Sequence, residues 1–240
     1  METSSKPTAS SSSSTSHLIV FARLSGLLVA VLVLVWGLSF RSNFLSHTSS
    51  THDAHMYSVF HVLVMVIGFV LISGEGSRNS KKLVHLTMQG VALASGTFGI
   101  WTKFYLERGV LSNFYSLHSW MGLMCISLFA AQWLMGFFSF WHRGEERTTR
   151  IRVAPWHVFL GLYIYGLAIA TAEAGLLEKL TFLEAKKKFL KHSLEPVVVN
   201  SLGLGLALLG GITILTAVST GNQSIPTKIV CSSTSKRSSS

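Results

Sequence analysis

The stretch FYSLHSWMG, residues 114–122, leads into an apolar run that ends at about Phe140. A helix needs about 20 apolar residues to cross a hydrocarbon core of ~30 Å, and this run is long enough. His118 stands at its start. Because ionisable side chains are rare inside membranes unless they have a function, the meaning of His118 depends on where the other histidines lie.

The composition of the whole chain is that of a membrane protein. Its 240 residues are 49% apolar and only 12% charged, whereas soluble domains carry roughly 25% charged residues. The net charge of +10 does not indicate nucleic-acid binding, because the basic residues lie in short clusters between apolar runs, as is usual in membrane proteins. Cys125 lies in an apolar run and Cys231 in a polar tail, so no disulfide framework is predicted.

Six apolar runs predict an all-α fold, a bundle of six transmembrane helices. Backbone groups in lipid must be satisfied within the segment, which favours helices, and short loops make neighbours antiparallel. Glycines 203, 205, 210 and 211 are expected to let helices approach closely. We assign the bundle to residues 17–220 and disordered serine-rich tails to residues 1–16 and 221–240. The runs cover approximately residues 18–40, 57–73, 83–105, 117–140, 153–176 and 197–219.

The distribution of lysine and arginine predicts that both termini are cytoplasmic. Two loops share one side of the membrane with the two tails, and together they hold more lysine and arginine than the opposite side. They are EGSRNSKK, residues 75–82, and HRGEERTTRIR, residues 142–152. The loop between the last two runs carries five lysines on the opposite side and favours the reverse orientation. The sequence predicts a multi-pass protein of a vacuolar, plasma or other endomembrane.

Four of the ten histidines recur at the same place in consecutive spans, in the first half of each. These are His61, His85, His118 and His157. Consecutive spans run in opposite directions, so the second and fourth spans are parallel to each other, as are the third and fifth. His61 and His118 therefore lie toward one face of the membrane and His85 and His157 toward the other. The sequence therefore predicts two pairs of histidines, one in each leaflet.

Facing imidazoles in a helix bundle can hold a buried metal or haem. Zinc usually requires further cysteine or carboxylate ligands, and no intramembrane carboxylate stands beside either pair in the sequence. Two imidazoles fit a haem iron with both axial positions filled, which transfers electrons and does not bind oxygen. The alternative is a haem-free multi-pass transporter or scaffold, whose histidines form hydrogen bonds between helices.

The chain resembles the cytochrome b561 family of ascorbate-dependent transmembrane electron carriers, and most of all its plant members. The resemblance extends from about Leu18 to Ser219 and rests on four motifs in the same order. They are HVLVMVIGFVLISGE (61–75), KKLVHLTMQ (81–89), NFYSLHSWMGL (113–123) and PWHVFLGLYIYGLAIATAEAGLLEK (155–179). The resemblance implies a six-helix homodimer with two b-type haems in each chain.

The resemblance also implies roles for individual residues. His61 and His118 would bind the iron of the non-cytoplasmic haem, and His85 and His157 that of the cytoplasmic haem. Cytoplasmic ascorbate would give electrons that pass to monodehydroascorbate or a ferric chelate on the far side, making the protein a transmembrane ferrireductase or monodehydroascorbate reductase. The candidate substrate residues are Arg78, Lys81, Lys82 and Arg150 for ascorbate, and Lys103, Phe104, Tyr105 and Tyr115 for the acceptor; further candidate haem-binding residues are Tyr115, Ser116 and Glu178.

Chemistry supports the ascorbate cluster independently, because a basic patch attracts an anion. The alternative is that these side chains are ordinary anchors at the cytoplasmic face. Three positions depart from the family pattern: Val62 follows His61 where many members carry proline, Phe140 stands where a tyrosine is usual, and Tyr105 replaces the histidine of a KFH motif. Tyr105 is alternatively an interfacial aromatic residue with no part in electron exit.

Overall fold

The computed structural model describes six helical stretches. The described residues are 10–40, 59–71, 82–106, 114–142, 147–185 and 194–222, with side chains described for 16–40, 59–71, 82–104, 114–141, 148–185 and 194–219. The described part of the chain contains no strand. The predicted helical membrane bundle is confirmed.

Five helices are long and apolar enough to cross a membrane, and a sixth apolar helix is shorter over the residues described. The shorter one, α2, covers Val59–Leu71, and its part from Val64 onward is π-helical. The other helices are α1 (Ser10–Ser39), α3 (Lys82–Leu106), α4 (Leu117–Gly136, continued as a π-helical turn over Phe137–His142), α5 (Arg147–Ala185) and α6 (Leu194–Asn222).

Several helix ends differ from the sequence-based boundaries. Helix α1 begins at Ser10, within the stretch assigned to the N-terminal tail, and α6 ends at Asn222, just beyond the predicted domain limit. Helix α5 runs nine residues past Leu176, to Ala185. The sequence-based boundary stopped where charged residues begin, but the extension still places an apolar side chain inside, since Leu183 is 1% exposed.

Each helix packs against the next one in the chain, and α6 returns to α1. Contact between α2 and α5 closes a smaller ring of α2, α3, α4 and α5. Helices α1 and α6 form a tight pair beside it, with Val33 on α1 and Leu206 on α6 fully buried. The four helices that carry the candidate histidines therefore form the centre of the bundle.

The glycines of α6 have the predicted packing role at three of four positions. A Cβ at Gly205 would come within 3.1 Å of Val29, one at Gly210 within 3.2 Å of Ile169, and one at Gly203 within 2.9 Å of the Glu173 carboxylate. At Gly211 such an atom would meet nothing within 4 Å among the described residues. The prediction was wrong for Gly211, which lies on an open side of the helix.

Candidate functional site

The four candidate histidines come together as two pairs of facing rings. The ring centroids of His61 on α2 and His118 on α4 are 6.3 Å apart. Those of His85 on α3 and His157 on α5 are 6.5 Å apart. In both pairs the rings are close to perpendicular, at 83° and 76°. The molecule thus contains a His61–His118 pair and a His85–His157 pair.

The two pairs lie at opposite ends of the bundle because α4 and α5 are antiparallel. Three hydrogen bonds join these helices, each from an α4 side chain to an α5 backbone oxygen. They link His118 Nδ1 to Thr171 (2.9 Å), Cys125 Sγ to Ile164 (3.7 Å) and Gln132 Nε2 to His157 (2.6 Å). The donors advance by seven residues while the acceptors retreat by seven, so the same helix faces meet along the whole contact. From His118 to Gln132 the helix rises about 21 Å.

Backbone carbonyl groups orient both rings of the His61–His118 pair. His61 Nδ1 lies 2.7 Å from the Gly99 oxygen, and His118 Nδ1 lies 2.9 Å from the Thr171 oxygen. A carbonyl oxygen only accepts, so each Nδ1 carries the proton and each Nε2 is left with a free lone pair. Ligating histidines in metal sites are usually held in this way.

Glycines make room for one ring of each pair. A Cβ at Gly175 would lie 2.8 Å from Cε1 of His118, and one at Gly136 would lie 2.9 Å from Cε1 of His157. At distances this short a Cβ would force the ring to move, so glycine is what leaves each ring in its place. Gly175 stands four residues after Thr171, which is hydrogen-bonded to His118, and so lies on the same helix face. Gly136 stands in the same way four residues after Gln132, which is hydrogen-bonded to His157.

Other candidate residues cluster around the two pairs. Tyr115 Oη donates to Glu178 Oε1 at 2.8 Å, and Glu178 Oε2 is buried without a hydrogen-bond partner in the part of the chain that is described. Ser116 Oγ accepts from the backbone N–H of Ser119 at 3.3 Å and caps α4. These three residues lie at the end of α4 that carries His118. Tyr115 precedes His118 by three positions in the sequence and Ser116 by two.

The basic candidates that can be placed lie at the end of the His85–His157 pair. Lys82, three residues before His85, donates to the Phe140 backbone oxygen at 3.4 Å, and the Phe140 ring is 5.3 Å from that of His157. Arg150 is half-buried in the first turn of α5, two turns before His157. Arg78 and Lys81 lie outside the described residues.

The acceptor-side candidates lie at the opposite end of α3. Lys103 is in its last turn, and Phe104 packs against Phe114, with 5.5 Å between ring centroids. Phe114 in turn packs against the ring of Trp120. The Trp120 Nε1 donates a hydrogen bond to the Phe114 backbone oxygen at 3.0 Å. Tyr115 is 74% exposed beside this aromatic group. The Tyr105 side chain lies outside the described residues.

Comparison with known proteins identifies the family. Residues 60–183, which contain all four histidines, match the family model described as eukaryotic cytochrome b561. The chain belongs to this family. It is 61% identical over 210 residues to a probable transmembrane ascorbate ferrireductase 4 of Arabidopsis thaliana, covering 84% of this chain and 85% of that protein.

Two further relatives of the cytochrome b561 chain cover a similar length. Transmembrane ascorbate ferrireductase 2 of Arabidopsis thaliana is 42% identical over 212 residues, 84% of this chain and 90% of the relative. A transmembrane ascorbate-dependent reductase of Bos taurus is 32% identical over 203 residues, 80% of this chain and 77% of the relative. The similarity therefore extends over at least four fifths of this chain.

Membership in a cytochrome b561 family implies b-type haem, and the geometry of both pairs fits it. Metal–imidazole bonds are about 2.0–2.1 Å, and a five-membered ring with bonds of about 1.33 Å has a radius of about 1.1 Å. Two imidazoles on opposite sides of one metal ion therefore have centroids about 6.3 Å apart. The observed separations are 6.3 and 6.5 Å. Among the described residues no group of three His, Cys, Asp or Glu side chains gathers as a zinc site would require.

Four of the residues that shape the site escaped the sequence analysis: Gln132, Gly136, Thr171 and Gly175. Each is ordinary in a transmembrane span, and the chain has 20 glycines. The available signal was a polar residue followed four positions later by glycine, at the right distance from a histidine on the neighbouring span. Recognising that signal requires the register of α4 against α5, which the sequence alone does not give.

Proposed function

We propose that this chain moves electrons across a membrane, from ascorbate at one face to an acceptor at the other. Two b-type haems would take part, one held by the His61–His118 pair and one by the His85–His157 pair. The observation that carries the proposal is the pair of ring separations, each of which leaves room for one metal ion between two imidazoles. Family membership argues against the haem-free transporter or scaffold.

A haem with two imidazole ligands supplies one-electron chemistry without an open coordination position. The chain's own residues set its location and orientation. The Gly99 and Thr171 oxygens hold the Nδ1 protons of His61 and His118, so that both Nε2 atoms are available as ligands. Gly136 and Gly175 leave the space in which the His157 and His118 rings lie.

Electron donation belongs, in this proposal, at the end of the His85–His157 pair. Lys82 is exposed there and Arg150 is half-buried. Ascorbate is an anion at neutral pH, and cations beside an entry site raise its local concentration and guide it to the surface. We place this end at the cytoplasmic face, as the lysine and arginine distribution predicts.

The acceptor and the assembly are further parts of the proposal. The two Arabidopsis relatives are named ascorbate ferrireductases, which favours a ferric chelate, with monodehydroascorbate as the other candidate. Lys103, Phe104 and Tyr115 are exposed at the end of the His61–His118 pair, where an anionic chelate would find a cation beside aromatic surface. We also propose that the chain is a homodimer in the lipid bilayer.

Vesicles provide a direct test of the function. The protein is reconstituted with ascorbate inside and a membrane-impermeant ferric chelate outside, and its absorbance is followed. We expect b-type bands that appear on reduction and decay as the external iron is reduced, with two haems per chain. A colourless preparation would overturn the haem assignment, and reduction of the protein without reduction of external iron would overturn the transmembrane transfer.

A further inference from the structure

Gln132 is a polar side chain enclosed in the interior of the bundle. Only 7% of its surface is exposed. Its Nε2 donates to the backbone oxygen of His157 at 2.6 Å, but its Oε1 is buried and accepts no hydrogen bond from the described residues. Burying a polar atom without a partner is unfavourable, so the amide oxygen is expected to accept a hydrogen bond.

His157 presents the complementary unpaired atom. Its ring Nδ1 is buried and has no hydrogen-bond partner among the described residues. The ring is bounded by Gly136 on one side and by the Phe140 ring, 5.3 Å away, on another. Neither offers a side-chain acceptor. An unpaired donor and an unpaired acceptor thus belong to two residues that already contact each other.

At the other end of the α4–α5 contact, the Nδ1 of the corresponding ring, that of His118, has a hydrogen-bond acceptor. There, Thr171 accepts from His118 Nδ1 through its backbone oxygen, and Gly175, four residues later, makes room for the ring. Gln132 and Gly136 have the same spacing and stand in the same relation to His157. At this end, however, the backbone does not take the Nδ1 proton, and the Gln132 side chain is the buried acceptor at hand.

We propose that Gln132 Oε1 accepts a hydrogen bond from Nδ1 of His157 when that histidine ligates haem iron, which makes Gln132 a positioning residue for this ligand. The inference rests on the proposed function, because it assumes a haem at the His85–His157 pair. The terminal torsion of the glutamine amide is broad, so the amide can rotate toward the ring while its Cα stays in place. The amide would then hold His157 twice, by its backbone oxygen and by its ring.

The bond has a consequence beyond geometry. A hydrogen bond from Nδ1 makes the imidazole a stronger donor to the metal, and hydrogen bonding around axial ligands sets the potential of a haem. A stronger ligand stabilises ferric iron and lowers the reduction potential. Loss of the Gln132 acceptor should therefore raise the potential of the haem held by the His85–His157 pair and leave the other unchanged.

The test is a spectroelectrochemical titration of the purified holoprotein and two variants. Gln132→Met keeps the length of the side chain, stays uncharged and removes the acceptor. Thr216→Val is the matched control, because it removes a half-buried hydroxyl group that bonds to a backbone oxygen, that of Ile212 at 2.7 Å, on α6, which carries none of the four histidines. We expect one midpoint potential to rise in Gln132→Met and neither to move in Thr216→Val. Retention of both haems with unshifted potentials in Gln132→Met would overturn the proposal.

A second measurement decides the question even if Gln132→Met loses its haem. Redox-difference infrared spectra of wild-type protein carrying ¹³C at the glutamine amide carbon should contain an isotope-sensitive carbonyl band, because the bond strengthens in the ferric state. The band should vanish in Gln132→Glu, which has no amide. A band that persists in that variant, or is absent from wild type, refutes the role of Gln132. Failure of the proposed function would instead appear as a wild-type protein without haem.

Discussion

His118 on α4 and Thr171 on α5 meet through a hydrogen bond of 2.9 Å between the ring Nδ1 and a backbone oxygen. The same pair of helix faces meets again at Cys125 with Ile164, and at Gln132 with His157. One uninterrupted register therefore fixes the depth of a ring at each end of the bundle. A shift of α5 by one residue along α4 would displace both rings together, so the two histidine pairs are not independent structural units.

The ring pairing predicts which haem each histidine variant loses. His61→Ala and His118→Ala should each remove the same haem and leave the other, because their rings flank one position. His85→Ala and His157→Ala should remove the second haem for the same reason. The measurement is the haem-to-protein ratio together with a redox titration of the haem that remains. The pairing is wrong if His61→Ala and His118→Ala leave haems with different midpoint potentials.

The glycines beside the rings predict an unusual sensitivity to a single methyl group. In Gly175→Ala the new Cβ would lie 2.8 Å from the His118 ring, and in Gly136→Ala 2.9 Å from the His157 ring. Each ring would have to turn away, so each variant should lose most of one haem while retaining the other. Haem content and reduced absorbance bands report the loss.

Gly166→Ala is the matched control on α5, because a Cβ there meets none of the described residues within 4 Å. It should retain both haems and gain about 0.5–1 kcal/mol in stability from better helix propensity. Loss of haem from Gly166→Ala comparable to that from Gly175→Ala would mean that any substitution of an α5 glycine disturbs the bundle. The specific contact with His118 would then not be the cause.

The fold was largely readable from the sequence because membrane spans have a strong signature. Length, the absence of charge and the recurrence of His61, His85, His118 and His157 predict helices, direction and pairing without knowledge of packing. Helix ends were less predictable, since they depend on contacts outside the apolar run. Leu183, beyond the charged residues that closed the predicted span, is buried and holds the end of α5 in a helix.

The surroundings of the histidines were not predictable in the same way. Whether a glycine is a ring's neighbour or faces open space depends on the opposing helix, as Gly175 and Gly211 show. The acceptors for His61 and His118 are backbone oxygens, which every residue carries. The amino-acid sequence therefore does not indicate which backbone oxygens accept hydrogen bonds from the histidine rings.

Trp36 and Glu195 predict a stability effect that is separate from haem binding. Trp36 Nε1 donates to Glu195 Oε1 at 3.2 Å, and the residues are 1% and 3% exposed. Trp36→Phe removes the donor from a buried carboxylate and should cost about 1–3 kcal/mol. We expect a lower thermal unfolding midpoint in detergent with unchanged haem content. The control Leu38→Ala, on the same helix at 67% exposure, should change stability by less than about 0.5 kcal/mol; equal midpoints for the two variants would contradict the prediction.

Two lysines at opposite ends of α3 predict which face of the protein receives ascorbate. Lys82→Gln should slow reduction by ascorbate about two- to fivefold, since an exposed charge contributes about 0.3–1 kcal/mol, and should not affect an uncharged reductant. Lys103→Gln, in the last turn of the helix, should leave the ascorbate rate unchanged.

The wild-type rate should fall with added salt, because exposed charges are screened over ~8 Å at physiological ionic strength. Stopped-flow reduction in detergent, where both faces are accessible, measures all three effects. Slowing by Lys103→Gln alone would place the donor site at the end of the His61–His118 pair.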